Sequence, residues 1–109
     1  MLELLFGNAT AERVLLYLHC YERGHATQIA KTFGSALTPV QRQLAKLETA
    51  GVLVSRSEGR TKLYEWNPRY PFTKELRALL QRAYDYLPAE LRERYYQLRT
   101  RPTQKVTGW

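Results

Sequence analysis

Three neighbouring side chains, Gln41, Arg42 and Lys46, are of the types that pair with the base edges of double-stranded DNA. An arginine forks onto guanine O6 and N7, a carboxamide pairs with adenine N6 and N7, and a lysine reaches a guanine or a phosphate. Thr38 adds a hydroxyl at the start of the same stretch. A second group, Arg56, Arg60 and Lys62, surrounds Gly59 with Glu58 as the acid among them. Cations clustered on a turn can straddle phosphates or enter a narrow minor groove. Thr27 and Lys31 lie upstream and are expected to add backbone contacts. Plainer uses exist for the same residues: a solvated helix face for the first group, and charged protection of exposed strands for the second.

Other chemistry finds little material. The serines are Ser35, Ser55 and Ser57, and none stands in a nucleophile-elbow context. No glycine loop suits a phosphate, and the acids are scattered among cations, so no catalytic residue and no enzyme activity are expected. His19, Cys20 and His25 are the one candidate metal set. Neighbours on a helix diverge by about 100°, which keeps His19 and Cys20 off a shared ion, and a closed zinc site needs about four ligands. The expectation is no metal and no cofactor.

The elements that must carry these groups follow from the punctuation. Asn8 is a good N-cap, and Val14, Leu15, Leu18 and Tyr21 recur behind it at helical spacing, with Arg23 and Gly24 as a closing cation and C′ glycine. That predicts a first helix over about residues 9–23. Thr27 caps a short second helix carrying Ile29, Ala30 and Phe33 and ending at Gly34. After the turn Ser35-Ala36-Leu37, Thr38 is read as the cap, Pro39 as the first helical residue and Gln41 as the partner in a capping box. Val40, Leu44 and Leu47 form the inner stripe of this third helix, which leaves Thr38, Arg42, Ala45, Lys46 and Thr49 outward and Gln41 on the shoulder. Beyond Gly51 the period becomes two, giving strands over 52–56 and 62–66 around a Ser57-Glu58-Gly59-Arg60 turn. Residues 67–71, with two prolines, form a linker. A fourth helix is marked by Phe72, Leu76, Leu79, Leu80, Ala83 and Leu87, and a fifth, starting at Pro88, by Leu91, Tyr95 and Leu98.

Length and charge agree with this plan. At 109 residues the chain makes one domain, and 44% hydrophobic content supports a modest core. The formal net charge of +7 favours a polyanionic partner. One cysteine forms no internal disulfide, the start of the chain lacks the basic and apolar runs of a signal peptide, and the apolar run 14–18 is far short of a membrane span. A cytoplasmic protein without a membrane partner is expected. The charge is uneven: residues 1–67 hold 8 basic and 6 acidic side chains, residues 68–109 hold 9 and 4. Arg99, Arg101 and Lys105 of the tail add backbone contacts, grip an acidic partner, or are simply solvated.

Short helix, tight turn, helix and hairpin make a mainly α winged helix-turn-helix with two additional C-terminal helices. The run Gln28-Ile-Ala-Lys31, the stretch Thr38 to Leu53, and Arg56-Ser-Glu-Gly-Arg60 with Tyr64 resemble a bacterial or archaeal regulator of the ArsR-like group. The resemblance covers about residues 5–67 and is most specific from Thr38 to Leu53. It implies a homodimeric repressor or activator whose third helix enters the major groove with the hairpin as wing, and whose flanking helices form the dimer interface. Residues 1–67 would be the DNA-binding part, and residues 68–109 the dimerisation helices and basic tail of the same compact unit. The apolar set Phe72, Leu76, Leu79, Leu80, Leu87, Leu91, Tyr95 and Leu98 is expected at the interface, where tyrosine is enriched. The paired cysteines familiar beside this motif in metal-sensing relatives are missing. An adaptor for a partner protein, such as a nucleotidyltransferase, and an RNA-binding module remain alternatives. No residue specifies a small-molecule or protein effector.

Overall fold

The computed structural model describes residues 2–96. Leu98, Arg99, Arg101 and Lys105 therefore lie outside the described residues. The elements in chain order are α1 (Glu3–Phe6), α2 (Ala9–Tyr21), β1 (Arg23–His25), α3 (Ala26–Phe33), α4 (Leu37–Thr49), β2 (Leu53–Glu58), β3 (Thr61–Trp66), α5 (Thr73–Asp85) and α6 (Ala89–Leu91). A π-helical turn, Arg92–Tyr96, continues α6.

The middle of α2 is apolar nearly all round, and Val14, Leu15, Leu16 and Leu18 are each at most 2% exposed. A helix so covered must be central, and α3, α4, α5 and the π-turn all place core residues against it. Asn8 caps it as read, its Oδ1 accepting from the Ala11 N–H at 2.8 Å. Its other end differs from expectation. The helix stops at Tyr21, and Glu22 takes a positive φ of 72° with ψ −32°. Arg23-Gly24-His25 then runs extended as a third strand, antiparallel to β3, so the sheet order is β1-β3-β2. Gly24 is therefore a strand glycine rather than a C′ glycine. The reason is space: a Cβ there would lie 2.8 Å from Cε1 of Tyr17, whose ring stacks on Tyr21.

The caps of the next two helices also move. His25, not Thr27, precedes α3, and its backbone N–H donates to Oε1 of Gln28 at 3.1 Å. Ala36, not Thr38, precedes α4, which has no side-chain cap, so the Thr38–Gln41 box does not form. Pro39 still sits in the first turn, where a missing N–H leaves no helical bond unmade. The hairpin is longer than read: Ser57 and Glu58 pair with Lys62 and Thr61, leaving Gly59 (φ 64°) and Arg60 as a two-residue turn.

Beyond the sheet, α5 starts one residue after Phe72 and lays Leu80 and Ala83 into the core. The fifth predicted helix is α6 plus the π-turn, and the wider turn changes which ring faces inward. Tyr96 is 5% exposed and Tyr95 half-buried, so Tyr96 joins the expected Leu91 and Tyr95 against the core, and both tyrosine rings meet Phe33, at 5.0 and 5.6 Å. Burial raises the Tyr96 hydroxyl well above its ordinary range, with the nearby Glu12 charge adding to it.

Gly24→Ala forces the Tyr17 ring or strand β1 to shift, and is expected to cost about 1–3 kcal/mol in urea unfolding. Pairing it with Tyr17→Leu should recover part of that loss. An unchanged midpoint for the single variant would show that the strand has room to spare.

Candidate nucleic-acid interface

The helix pair α3–α4 is joined by Gly34-Ser35-Ala36. Gly34 turns left-handed at φ 62°, and the Ser35 N–H closes onto the Ala30 carbonyl at 2.9 Å. The inner face of α4 is fixed by Val40 and Leu44, both at most 2% exposed, with Leu47 half-buried beside them. The outward residues follow from that: Thr38, Gln41, Arg42, Ala45, Lys46 and Thr49 are all exposed.

The hairpin folds beside this face. Between them lies a concave hollow of about 250 Å³, where Thr27 and Gln41 from the helices meet Arg60, Lys62 and Tyr64 from the hairpin. A second hollow, about 400 Å³, is lined by Ala45, Lys46, Thr49 and Ala50 farther along α4. Lys31 and Arg42 are exposed but line neither hollow. Arg56 goes elsewhere. Strand alternation puts it on the opposite face of the sheet from Lys62, with its guanidinium 3.9 Å from Glu58 and 3.8 Å from Glu65. Among the described residues, Lys31, Arg42, Lys46, Arg60 and Lys62 have no carboxylate partner, so their charge is available to a polyanion.

Besides the β1–β3 pairing, side-chain contacts on two sides hold the hairpin against the helices. Ser55 Oγ donates to Glu48 Oε2 of α4 at 2.6 Å. On the other side, His25 Nδ1 lies 3.0 Å from the Lys62 carbonyl and Nε2 lies 3.2 Å from Glu58 Oε1. Neither His25 nor Tyr64 was expected at the site. The signal for His25 was Gln28 three residues later, the spacing of a helix start. Tyr64 shows in the sequence as an alternate residue of a strand and as one of those carrying the family resemblance, neither of which marks it as lining a groove.

The expected interface residues divide by burial. Leu80 (0% exposed) and Leu87 (9%) are taken up by the protomer's own core, whereas Leu76, Leu91 and Tyr95 pack partly against it. Phe72 (60%) and Leu79 (37%) are open, and so are Leu4 (101%) and Leu5 (66%) of α1, a helix absent from the sequence reading. His19 is engaged structurally: Arg77 Nε donates to its Nδ1 at 3.2 Å, and Gln81 Oε1 lies 2.8 Å from its Nε2. No group of three or more His, Cys, Asp or Glu side chains converges among the described residues. No helix among them is long and apolar enough to cross a membrane.

No protein-family model and no curated protein matches the chain. Solved structures do. One is the homodimeric winged helix-turn-helix DNA-binding domain (fragment 1–100) of Mb0332 from Mycobacterium bovis, described as a possible ArsR-family transcriptional regulator. It is 25% identical with TM-score 0.56, over 75% of this chain and 74% of that one. This chain has the winged helix-turn-helix fold. The adhesin competence repressor of Streptococcus pyogenes superposes with TM-score 0.59 at 19% identity, covering 97% of this chain and 76% of its own. A MarR-family transcriptional regulator of Rhodococcus sp. RHA1 gives 0.56 at 19% identity, over 84% and 71%. In the terms of this fold, α3 and α4 are the helix-turn-helix and β2–β3 is the wing.

Ser55→Ala removes the bond that ties the wing to α4. It should lower stability by about 1 kcal/mol and speed amide exchange in β2 selectively. Exchange that rises equally across the whole chain would mean the bond does not act on the wing.

Proposed function

We propose that this chain is a sequence-specific DNA-binding transcriptional regulator that acts as a homodimer. The observation that carries this reading is the hollow in which Thr27, Gln41, Arg60 and Lys62 converge beside the exposed, unpaired Arg42 and Lys46. Helix α4 is narrow at Ala45 and suits a major groove about 12 Å wide, with Thr38, Gln41, Arg42 and Lys46 reading base edges. Arg60 and Lys62 meet the backbone or the adjacent minor groove, and Thr27 and Lys31 add phosphate contacts from α3. Arg56, drawn to Glu58 and Glu65, contributes less than the other two wing cations.

Self-association is supported by the open apolar residues Leu4, Leu5, Phe72 and Leu79, and by the homodimeric state of the Mycobacterium bovis domain. A two-fold dimer would set two α4 helices about 34 Å apart, one helical turn of DNA. A gel shift on the DNA upstream of its own gene, with excess nonspecific competitor, tests the whole reading. Competition that removes the complex completely would reject sequence-specific binding.

Arg42→Ala is expected to weaken specific binding by about 1–3 kcal/mol and to relax preference at one base position. If a folded variant keeps both its affinity and its base preference, α4 does not enter the groove. Arg60→Ala and Lys62→Ala should weaken all sequences alike and each flatten the salt slope by about one unit, whereas Arg56→Ala should change it less. Equal slopes for all three variants would contradict the division of the hairpin into two faces. For assembly, light scattering should give a dimer mass at micromolar concentration, and Phe72→Glu combined with Leu79→Glu should give monomers with much weaker operator binding. A wild-type monomer would exclude the two-fold arrangement.

A further inference from the structure

His25 stands between two hollows. On one side it borders the space between wing and α4, with Lys62 and Arg60. On the other it lines a hollow of about 450 Å³ behind the wing. Its backbone N–H joins the first turn of α3, and its ring reaches both strands of the wing, touching the Lys62 carbonyl and the Glu58 carboxylate. These two oxygens flank the Gly59-Arg60 turn.

Both oxygens are acceptors only. A neutral imidazole has one N–H and can satisfy one of them, which leaves a ring lone pair facing the lone pairs of the other. The doubly protonated ring donates to both, and one of those bonds is then charge-assisted. The charged groups around it are Glu58 and Arg56 on β2, Lys62 and Arg60 from the far side of the wing, and Arg23 on its own strand. Tyr17 and Tyr21 of α2 complete the surround; burial raises the Tyr17 hydroxyl, so that ring stays neutral near neutral pH. Glu58 is the group in ion-pair contact with the ring.

We propose that His25 is a positioning residue that clamps the wing onto the helix-turn-helix in its doubly protonated form, so that wing placement, and with it DNA affinity, depends on pH. The part concerning DNA rests on the function proposed above; the clamp itself does not. The direction follows from the partners. The doubly protonated ring donates to both oxygens and the neutral ring to one, so the clamp is complete at low pH and loosens when the second ring proton leaves. The wing then keeps the β1–β3 pairing and the Ser55–Glu48 bond, but its tip loses one of the two ring contacts that flank the Gly59-Arg60 turn, so Arg60 and Lys62 are no longer held at one height above α4.

The test has two arms. In the free protein, NMR titration between about pH 5 and 8 follows the His25 ring together with the backbone amides of residues 58–62. The amides should titrate in step with that ring, and the movement should vanish in His25→Gln. Amides that stay still, or that follow His19, the other histidine of the chain, would overturn the clamp. In the second arm, affinity for a duplex selected by gel shift should fall about threefold to tenfold more for wild type than for His25→Gln over the same range. His19→Gln should keep the wild-type slope. A slope unchanged in His25→Gln would overturn the proposal. Coupled titration in a protein that binds no duplex would keep the clamp and reject the DNA reading instead.

Discussion

The carbonyl of Leu18 accepts two hydrogen bonds at the point where the halves of the molecule meet. One is from the indole Nε1 of Trp66 on β3, at 3.0 Å, and the other is from the Glu22 N–H that ends α2, at 2.9 Å. Ending the helix there sends the chain back as β1, and β1 is what joins the wing to the body. Glu22 is held at positive φ although it is not glycine, a strain of about 1–3 kcal/mol. Arg77 offsets that cost. It grips both carboxylate oxygens of Glu22 at 3.0 and 2.7 Å, donates to the His19 carbonyl at 3.0 Å, and lies over the Trp66 ring. One guanidinium thus fixes the end of α2, the sheet and α5, which carries it, relative to one another.

A second junction lies at the opposite end of α3. Phe33, the last residue of that helix, packs against Tyr95 and Tyr96 and is covered by Arg13 from α2, 5.7 Å from the ring centre. Gly34 follows at once and begins the turn into α4. The direction in which α4 leaves the core is therefore set by an aromatic cluster half built from the π-turn. The polar face of α4 and the apolar residues left open on α1 and α5 belong to one packed unit rather than to two modules joined by a linker.

Much of this could be read from the residues because it depends on periodicity. Val40, Leu44 and the exposed residues between them have a helical repeat whatever the rest of the chain does, and Gly34, Gly51 and Gly59 mark turns that need positive φ. What escaped depends on contacts distant in sequence. Gly24 looks like a helix stop because its true reason, the Tyr17 ring and the pairing of β1 with β3, lies elsewhere in the chain. Thr38 looks like a better cap than Ala36, yet the turn after Gly34 already fixes where α4 begins, and tertiary packing outweighs a cap of about 1 kcal/mol. The four residues of α1 are too few for a period to show, and a π-turn has no sequence signature that separates it from an ordinary helix. Arg56 shows that composition alone misleads: three cations on a hairpin read as one cluster, and only the register shows that they lie on different faces.

The pairing of β1 with β3 has a bearing on how the molecule assembles. His25 pairs with Leu63 and Arg23 with Glu65, so the sheet cannot close until the chain between them has been gathered into α3 and α4. Local hairpins form quickly, whereas a strand contributed from so far upstream must wait for that loop to close. The wing is therefore not an appendage that could be cut away, because deleting it would strip β1 of its partner and leave Trp66 missing from the core. At the Gly59-Arg60 tip, by contrast, added residues would lengthen the reach of the wing without disturbing the order in which the rest folds.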